Sequence, residues 1–319
     1  MSKVAASLAA ALAALAFAGC GDGGAEPDAP REATLVLDFQ PNAVHAGIYA
    51  ALERGLYASR GVELEVQEPS ASTDGPKLLR AGRAEFAILD IHDLGLARQE
   101  GFDLVGIAPI VQRPLAAVIA ADRAEVRRPE DLAGGEVGVT GLPSDEAVLD
   151  SVLEADGADP AAVDRVTIGF EAVPALRAGR LDAATGFWNA EGVALRRAGV
   201  PTREFRVDDY GAPRYPELVV VTTAELAEQE PELARDVVEA TTRGYELVVA
   251  NPQEGLDALL GAAEGLEEAE QEAQLDALLP AFEPVGCLDP RVLRAWSHWD
   301  ADHGILARPI DVDEAFATP

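Results

Sequence analysis

Aromatic and acidic side chains follow the predicted strands at their carboxyl ends. Strands are expected at 35–37, 86–89, 137–139 and 183–185. Ligands of open α/β sheets bind beyond the carboxyl ends of the strands, so the residues that follow the strands are candidate ligand contacts. Tyr215 is added to them as a candidate contact at the rim of the site. The predicted contacts are Asp38, Phe39, Gln40, Asn42, His45, Asp90, His92, Thr140, Ser144, Trp188, Asn189, Glu191 and Tyr215.

This set is rich in aromatic rings and carboxylates and poor in Lys and Arg. A flat, amine-bearing heterocycle needs stacking faces and hydrogen-bond acceptors, whereas a phosphate or sulfonate usually needs arginine or several free backbone amides. Phe39 and Trp188 are predicted to sandwich such a ring, with core packing as the alternative for both. Asp38 and Glu191 are predicted to accept from its amino edge. Their alternatives are a helix N-cap and a surface position on a first helical turn.

Three other features of the candidate site keep alternatives open. His45 and His92 either donate to a ligand or are hydrogen-bonded structural histidines. Residues 140–144 precede a predicted helix, so free backbone amides are expected there. Tyr215 is either a ring contact or a residue of the core.

Catalytic motifs are not found in the sequence. It contains no Gly-x-Ser-x-Gly, no Walker loop and no His-Glu-x-x-His. Residues 296–303 include two His and two Asp, at a spacing that matches no metal motif. Cys287 is predicted to be a small buried apolar residue. We therefore predict a binding protein without catalytic residues, metal or cofactor.

Short apolar strands alternate with helical segments from residue 31 onward, which predicts an α/β fold with largely parallel sheets. The segment 79–87, Leu-Arg-Ala-Gly-Arg-Ala-Glu-Phe-Ala, returns at 176–184 as Leu-Arg-Ala-Gly-Arg-Leu-Asp-Ala-Ala. Both copies predict a helix that ends at a left-handed glycine, followed by a buried strand. We therefore predict two lobes built from one unit: a discontinuous lobe I at 33–118 plus 222–319, and an inserted lobe II at 119–221.

The charge of the chain excludes some classes of function. Its 319 residues include 25 Lys and Arg against 56 Asp and Glu, a formal net charge of −31. Phosphate binding rests on clustered basic residues, so this charge argues against nucleic-acid binding and against adhesion to an anionic membrane surface. Hydrophobic residues make up 48%, which is enough for a sizeable core and argues against a disordered acidic chain.

The first twenty residues have the pattern of a bacterial lipoprotein signal. Lys3 precedes an apolar run at 4–17 that is too short to span a bilayer comfortably and that ends in Phe17-Ala18-Gly19-Cys20. We predict cleavage of 1–19, lipid attachment to Cys20 and a flexible tether at 20–32. An ordinary secretory signal is the alternative. On the first interpretation, the lipid anchor is the contact with the membrane.

The segment 37–49, Leu-Asp-Phe-Gln-Pro-Asn-Ala-Val-His-Ala-Gly-Ile-Tyr, is followed by Arg-Gly-Leu-Tyr at 54–57 and Gly-Val-Glu-Leu at 61–64. These segments resemble thiamine-pyrimidine-precursor-binding proteins of bacterial ABC transporters. The likeness covers about 33–310 and extends to a wider family of sulfonate, taurine and nitrate binders. It implies a type II periplasmic-binding fold, with two lobes joined by a two-strand hinge. We expect a monomer.

The resemblance also implies a function. A formylated or hydroxymethylated aminopyrimidine would be held between the lobes and delivered to a membrane permease driven by a cytoplasmic ATPase. The alternative is a binding protein for sulfonate, nitrate or another small acid. The family's glutamate that contacts the pyrimidine aligns near Trp188, and the sequence leaves open whether Glu191 replaces it.

An enzyme is the least favoured interpretation of the resemblance. The wider family includes eukaryotic pyrimidine synthases that consume pyridoxal phosphate and a histidine, with a cofactor lysine four residues before that histidine. Here Ile88 stands four residues before His92.

Overall fold

The computed structural model describes residues 29–70, 74–122, 126–169 and 171–319. The predicted signal segment 1–19, the lipidation site Cys20 and most of the predicted tether lie outside these residues. The tether predicted for 20–32 overlaps the fold, because the first strand already begins at Arg31. Within the described ranges, no helix has both the length and the apolar character needed to cross a membrane.

Two five-stranded sheets form the frame of the molecule. The strands are β1 (Arg31–Val36), β2 (Val62–Gln67), β3 (Phe86–Asp90), β4 (Leu104–Val111), β5 (Ala116–Ala121), β6 (Glu136–Val139), β7 (Asp164–Thr167), β8 (Ala183–Phe187), β9 (Thr202–Arg206) and β10 (Leu218–Thr223). The first sheet has the order β2-β1-β3-β10-β4 and the second the order β7-β6-β8-β5-β9. In each sheet the fourth strand runs antiparallel to both neighbours.

Helices cover the sheets and form the C-terminal part of the chain. They are α1 (Ala46–Glu53), α2 (Asp74–Arg80), α3 (Ile91–Gln99), α4 (Pro143–Ala155), α5 (Ala172–Ala178), α6 (Glu191–Arg197), α7 (Ala224–Gln229), α8 (Pro231–Ala250), α9 (Pro252–Ala262), α10 (Glu268–Leu278), α11 (Pro290–Asp302) and α12 (Val312–Ala315). The longest, α8, buries one apolar face, as an amphipathic helix at the surface of a core does. It packs against α1, and Gly244 allows close approach to the backbone of Gly47.

The two sheets share one topology, so β1 is equivalent to β6, β3 to β8 and β10 to β5. The register agrees, because Leu35 lies opposite Phe86 in the first sheet and Val137 opposite Ala183 in the second. Phe86 and Ala183 occupy matching positions of the sequence repeat. The repeat glycines Gly82 and Gly179 both have positive φ, +60° and +69°. The prediction of an α/β fold with two lobes built from one unit is confirmed.

The chain crosses between the lobes twice, at 112–115 between β4 and β5 and at 207–217 between β9 and β10. The predicted divisions at 118/119 and 221/222 fall inside β5 and β10. Each of these strands pairs wholly within one sheet, β5 in the second and β10 in the first. The strand pairing therefore places the boundaries between the two lobes within the two crossing segments, which we call the hinge.

Cys287 is exposed, so the prediction that it is buried is wrong. It follows Gly286, whose φ of +71° turns the chain, and most of the residues from 283 to 287 lie at the surface. The apolar neighbours in the sequence did not reveal this turn.

Candidate functional site

The predicted contacts come from both lobes and the hinge. Those of lobe I follow β1 and β3, those of lobe II follow β6 and β8, and Tyr215 lies on the second crossing segment. These carboxyl ends border the cleft between the lobes. Phe39 and Gln40 are exposed there, whereas Asp38, Asn42, Asp90, Thr140, Ser144 and Glu191 are partly buried, and His45, His92, Trp188, Asn189 and Tyr215 are buried.

Asp38 is held in place by His45. The backbone N–H of Asn42 donates to His45 Nδ1 at 3.2 Å, so the ring proton lies on Nε2 and is donated to Asp38 Oδ1 at 2.8 Å. Asn42 also accepts from the N–H of Val44 and so caps this short helical turn. The His45 side chain is fully buried while that of Asp38 is 21% exposed. Asp38 is thus the residue available to a ligand, and His45 orients it.

Asp93 adds a carboxylate that the sequence analysis did not select. Asp93 is exposed and lies on the first turn of α3. Desolvation, together with the nearby charges of Asp90 and Asp38, raises the pKa of Asp93 to about 7 against the opposing effect of His92. Asp38, Asp90 and Asp93 therefore form an acidic wall on lobe I. Its signal in the sequence was the position of Asp93, three residues after Asp90 at the same strand end.

Lobe II contributes two further carboxylates at its strand ends. Asp145 Oδ2 accepts from the backbone N–H of Thr140 at 3.0 Å and from the hydroxyls of Thr140 and Thr185. Glu191 Oε2 accepts from the backbone N–H of Phe187 at 2.8 Å. Desolvation raises the pKa of Glu191, and the neighbouring charge of Asp145 adds to this, although backbone hydrogen bonds oppose the shift.

The backbone amides at these strand-to-helix junctions are largely taken by the chain's own side chains. Asp90 accepts from the N–H of His92 at the start of α3, and Gln271 accepts from the N–H of Ala43 ahead of α1. At the start of α4, Asp145 takes the N–H of Thr140, and Thr140 Oγ1 takes that of Leu142. The prediction of free amides at 140–144 therefore fails at Thr140 and Leu142, because side chains close in sequence fold back onto these two N–H groups.

Trp188 does not present a ring face to the cleft. The side chain is buried, and its indole N–H donates to the carbonyl of Pro114 at 2.9 Å. The Arg206 guanidinium lies 4.0 Å from the ring centroid, in a cation–π arrangement. In this conformation the predicted sandwich of Phe39 and Trp188 is wrong, since Trp188 ties the loop after β8 to the first crossing segment.

His92 and Tyr215 lie in a buried cluster behind the acidic wall. His92 Nδ1 lies 2.8 Å from Asp300 Oδ2, and His92 Nε2 lies 3.1 Å from the Tyr215 hydroxyl. Burial disfavours protonation, but the charges of Asp300 and Asp90 outweigh it and raise the pKa of His92 to about 10. Trp296 Nε1 lies 3.2 Å from the same Nδ1, so three side chains surround the imidazole. These contacts correspond to the structural alternative that the sequence left open for His92 and for Tyr215.

Glu217 joins the hinge to this cluster and was missed from the sequence. Its Oε2 accepts from the N–H of Leu115 at 2.6 Å. Its backbone N–H donates to the carbonyl of Val111, and its carbonyl accepts from the N–H of Ile91. Burial, the charge of Asp90 and a hydrogen bond with that carboxylate raise the pKa of Glu217 well above its usual range, against the opposing effects of His92 and the Leu115 N–H. Nothing in the local sequence, Pro-Glu-Leu at 216–218, indicated these distant partners.

Asp90, His92 and Glu217 have ligand-type atoms within 4.8 Å of one another. Such a group has the composition of a metal site. Here, however, both ring nitrogens of His92 have hydrogen-bond partners and Glu217 Oε2 is bonded to Leu115. These hydrogen bonds engage the ring nitrogens of His92 and the Oε2 atom of Glu217 that would face a metal ion.

A groove of about 410 Å³ lies on lobe II, away from the cleft contacts. Its apolar lining includes Val166, Ile168 and Leu181, and it reaches Glu136 and Arg180 at the amino ends of β6 and β8. The residues that line this groove do not include the predicted contacts, so we place the ligand site in the cleft, where the polar groups described above converge.

Two lobes of equal topology, joined by two crossing segments around a cleft, define a periplasmic-binding-protein fold. The periplasmic aliphatic sulphonate binding protein SsuA from Escherichia coli has this fold, with a TM-score of 0.74 at 15% identity over 91% of this chain and 93% of that one. Residues 42–255 match the family described as NMT1/THI5 like, and the chain belongs to this family.

Two relatives of different function illustrate the range of the family. The chain is 32% identical to the formylaminopyrimidine-binding protein of Halalkalibacterium halodurans, with 96% of each chain covered. It is 24% identical to the 4-amino-5-hydroxymethyl-2-methylpyrimidine phosphate synthase of Legionella pneumophila, over 78% of this chain and 79% of that protein. The family thus includes proteins named as binders and proteins named as enzymes.

Proposed function

We propose that this chain is the extracytoplasmic solute-binding component of an ABC importer. It captures an aminopyrimidine, formylated or hydroxymethylated, between its two lobes and delivers it to a permease driven by an ATPase. The similarity to a formylaminopyrimidine-binding protein over nearly the whole chain supports this. Closure of the lobes around the ligand gives the permease a form to recognise.

The carboxylates at the strand-to-helix junctions carry the choice of ligand class. An anion binds best where backbone N–H groups at a helix N-terminus point into open space. In this cleft, Asp90 accepts from the N–H of His92 at the start of α3, while Asp145 and Glu191 accept from Thr140 and Phe187 at the strand ends ahead of α4 and α6, so each junction carries a carboxylate. A sulfonate or nitrate would meet like charge, whereas the amino group of a pyrimidine would meet hydrogen-bond acceptors.

The acidic wall fits the edge of such a ring. Asp38, oriented by His45, accepts from an exocyclic amine. Asp93, with a pKa of about 7, offers an acceptor when ionised and a donor when protonated. A pyrimidine edge carries donors and acceptors side by side, so a carboxyl group that takes either form suits it.

A synthase-like enzyme is disfavoured by the state of His92. In the synthases of the wider family a histidine is itself consumed, which requires access to it. His92 is buried and bonded to Asp300 and Tyr215, and Ile88 stands where the cofactor lysine would be expected. We therefore propose a binding protein that works as a monomer and needs no cofactor or metal.

The proposed cellular location follows from the N-terminal sequence. Cleavage before Cys20 and lipid attachment to its sulfur would anchor the protein to the outer side of the cell membrane. The segment between Cys20 and β1 would then leave the lobes free to reach the permease.

A thermal-shift panel on the purified protein tests the proposed ligand class. A formylaminopyrimidine and a hydroxymethylpyrimidine should raise the melting temperature in proportion to the logarithm of their concentration, because ligands of the native state stabilise it. An alkanesulfonate and nitrate should leave it unchanged. Stabilisation by either anion, with no response to the pyrimidines, would assign the protein to the acid-binding alternative.

A further inference from the structure

Two large apolar side chains remain exposed at the edges that face the cleft. Phe39 is 56% exposed and Leu142 is 50% exposed, and these are the exposed large hydrophobic residues of the described ranges. Phe39 lies in the loop after β1 and Leu142 in the loop after β6. Since β1 and β6 are equivalent strands, each lobe presents one apolar side chain from the same position.

Hydrogen bonds within the two loops keep these side chains at the surface. The Asn42 side-chain amide donates to the carbonyl of Gln40 at 3.0 Å, next to Phe39. In the other loop, the backbone N–H of Leu142 donates to Thr140 Oγ1 at 3.2 Å, and Gly141 supplies a turn with φ of +94°. Both apolar side chains are therefore carried by loops with defined internal contacts.

A flat ring held in the cleft needs an apolar contact on each face. Phe39 can supply one from lobe I. Trp188, the expected partner in lobe II, is buried beneath Arg206 and bonded to Pro114. The exposed apolar residue that lobe II has at this edge is Leu142.

We propose that Phe39 and Leu142 close on opposite faces of the ligand's ring when the lobes close. This inference rests on the proposed function and names the residue that completes the site. Closure removes the ring faces and both side chains from water, while the ring edge stays directed at the carboxylates. The pair selects flat heterocycles over compact solutes of similar polarity, because a compact solute leaves one apolar face uncovered.

Titration calorimetry with a formylaminopyrimidine tests the pair on the full-length protein purified in mild detergent. Phe39→Ala and Leu142→Ala should each weaken binding by about tenfold or more, as the loss of a central apolar contact does. Both should melt close to the wild type, since exposed side chains contribute little to stability. The control, Leu226→Ala, removes a leucine from α7 at the far edge of the first sheet and should bind as the wild type does.

The outcomes separate this inference from the proposed function. A wild-type protein that binds no aminopyrimidine contradicts the proposed function itself. Wild-type binding that Leu142→Ala leaves unchanged overturns the pairing of Phe39 with Leu142 alone. Unchanged affinity with loss of uptake into cells also overturns it, and assigns Leu142 to contact with the permease.

A fluorescence measurement covers the case in which a truncation perturbs its loop. In Leu142→Trp the new indole should change its emission on addition of the formylaminopyrimidine, because the ring stacks against it. Emission that stays constant while calorimetry detects binding would contradict the proposed contact.

Discussion

The carboxyl group of Glu217 accepts a hydrogen bond from the backbone N–H of Leu115 at 2.6 Å. A side chain of the second crossing segment is therefore bonded to the backbone of the first crossing segment. Burial and the charge of Asp90, at the edge of the acidic wall, raise the pKa of the same carboxyl group well above its usual range. The hinge and the candidate ligand site are thus linked through Glu217, which is buried, and Asp90, which is partly buried.

Replacing Glu217 tests whether its carboxyl group is protonated. Glu217→Gln keeps an acceptor for Leu115 and a donor for Asp90, so the free energy of unfolding should stay within about 1 kcal/mol of the wild type. Glu217→Ala leaves the buried N–H of Leu115 without its partner and should cost about 2–4 kcal/mol. Urea denaturation at pH 7 measures both. Equal losses in the two variants would show that Glu217 is ionised.

The stability of the protein should fall as the pH rises from about 4 to about 10. His92 and Asp93 keep their protons up to pKa values of about 10 and 7, whereas the unfolded chain releases them at 6.5 and 3.8. Glu217 is shifted in the same direction from 4.5. The native state therefore binds more protons in this range. The buried His92 contributes a slope of at most about 1.4 kcal/mol per pH unit, and the exposed Asp93 contributes less because solvent screens its charge.

Denaturant unfolding at pH 5, 7 and 9 checks this slope. His92→Gln should reduce the loss of stability above pH 6.5 and leave the loss of stability at lower pH unchanged. Acids with a lowered pKa have the opposite effect, because they make stability rise with pH, and they do so only at lower pH. Asp289, whose pKa is lowered to about 2 by Arg291, is an example. Stability that rises from pH 5 to pH 9 would contradict the assigned protonation states.

Asp38 should contribute to ligand affinity, and His45 should act through Asp38. Asp38→Asn should weaken aminopyrimidine binding by roughly tenfold to a hundredfold, as expected for the loss of a charge-assisted hydrogen bond. His45→Leu should weaken it as well, whereas His45→Gln keeps a donor for Asp38 and should restore part of the affinity. Asp313→Asn is the matched control, because Asp313 pairs with Arg294 on the surface.

Calorimetry gives these affinities directly. Equal binding by Asp38→Asn and Asp313→Asn would remove Asp38 from the site. Equal losses in His45→Leu and His45→Gln would mean that His45 does more than orient Asp38.

Trp188 should matter for stability more than for direct ligand contact. Trp188→Phe removes the hydrogen bond to Pro114 and should cost about 1–3 kcal/mol, while Trp188→Ala should cost about 3–5 kcal/mol through the cavity it leaves. Urea denaturation and calorimetry on the same samples separate the two roles. A Trp188→Phe protein of unchanged stability that no longer binds the pyrimidine would return Trp188 to the ligand site.

Local sequence was sufficient for the frame of the fold. Strand ends, the repeated glycines Gly82 and Gly179 and the amphipathic pattern of α8 depend on neighbours within a few residues, so the two lobes and their helices were predictable. The contacts of Trp188 and Glu217 were not predictable, because their hydrogen-bond partners, Pro114 and Leu115, lie far away along the chain. At 140–144 two of the amides expected to be free are taken for a local reason, because Asp145 accepts from Thr140 and the Thr140 hydroxyl accepts from Leu142.

Native mass spectrometry of the protein, purified without unfolding, identifies the ligand that the cleft retains. We predict a bound species that is released on activation with the mass of an aminopyrimidine and that carries no fixed negative charge. A protein that retains a sulfonate, nitrate or another small acid would contradict the account of the acidic cleft.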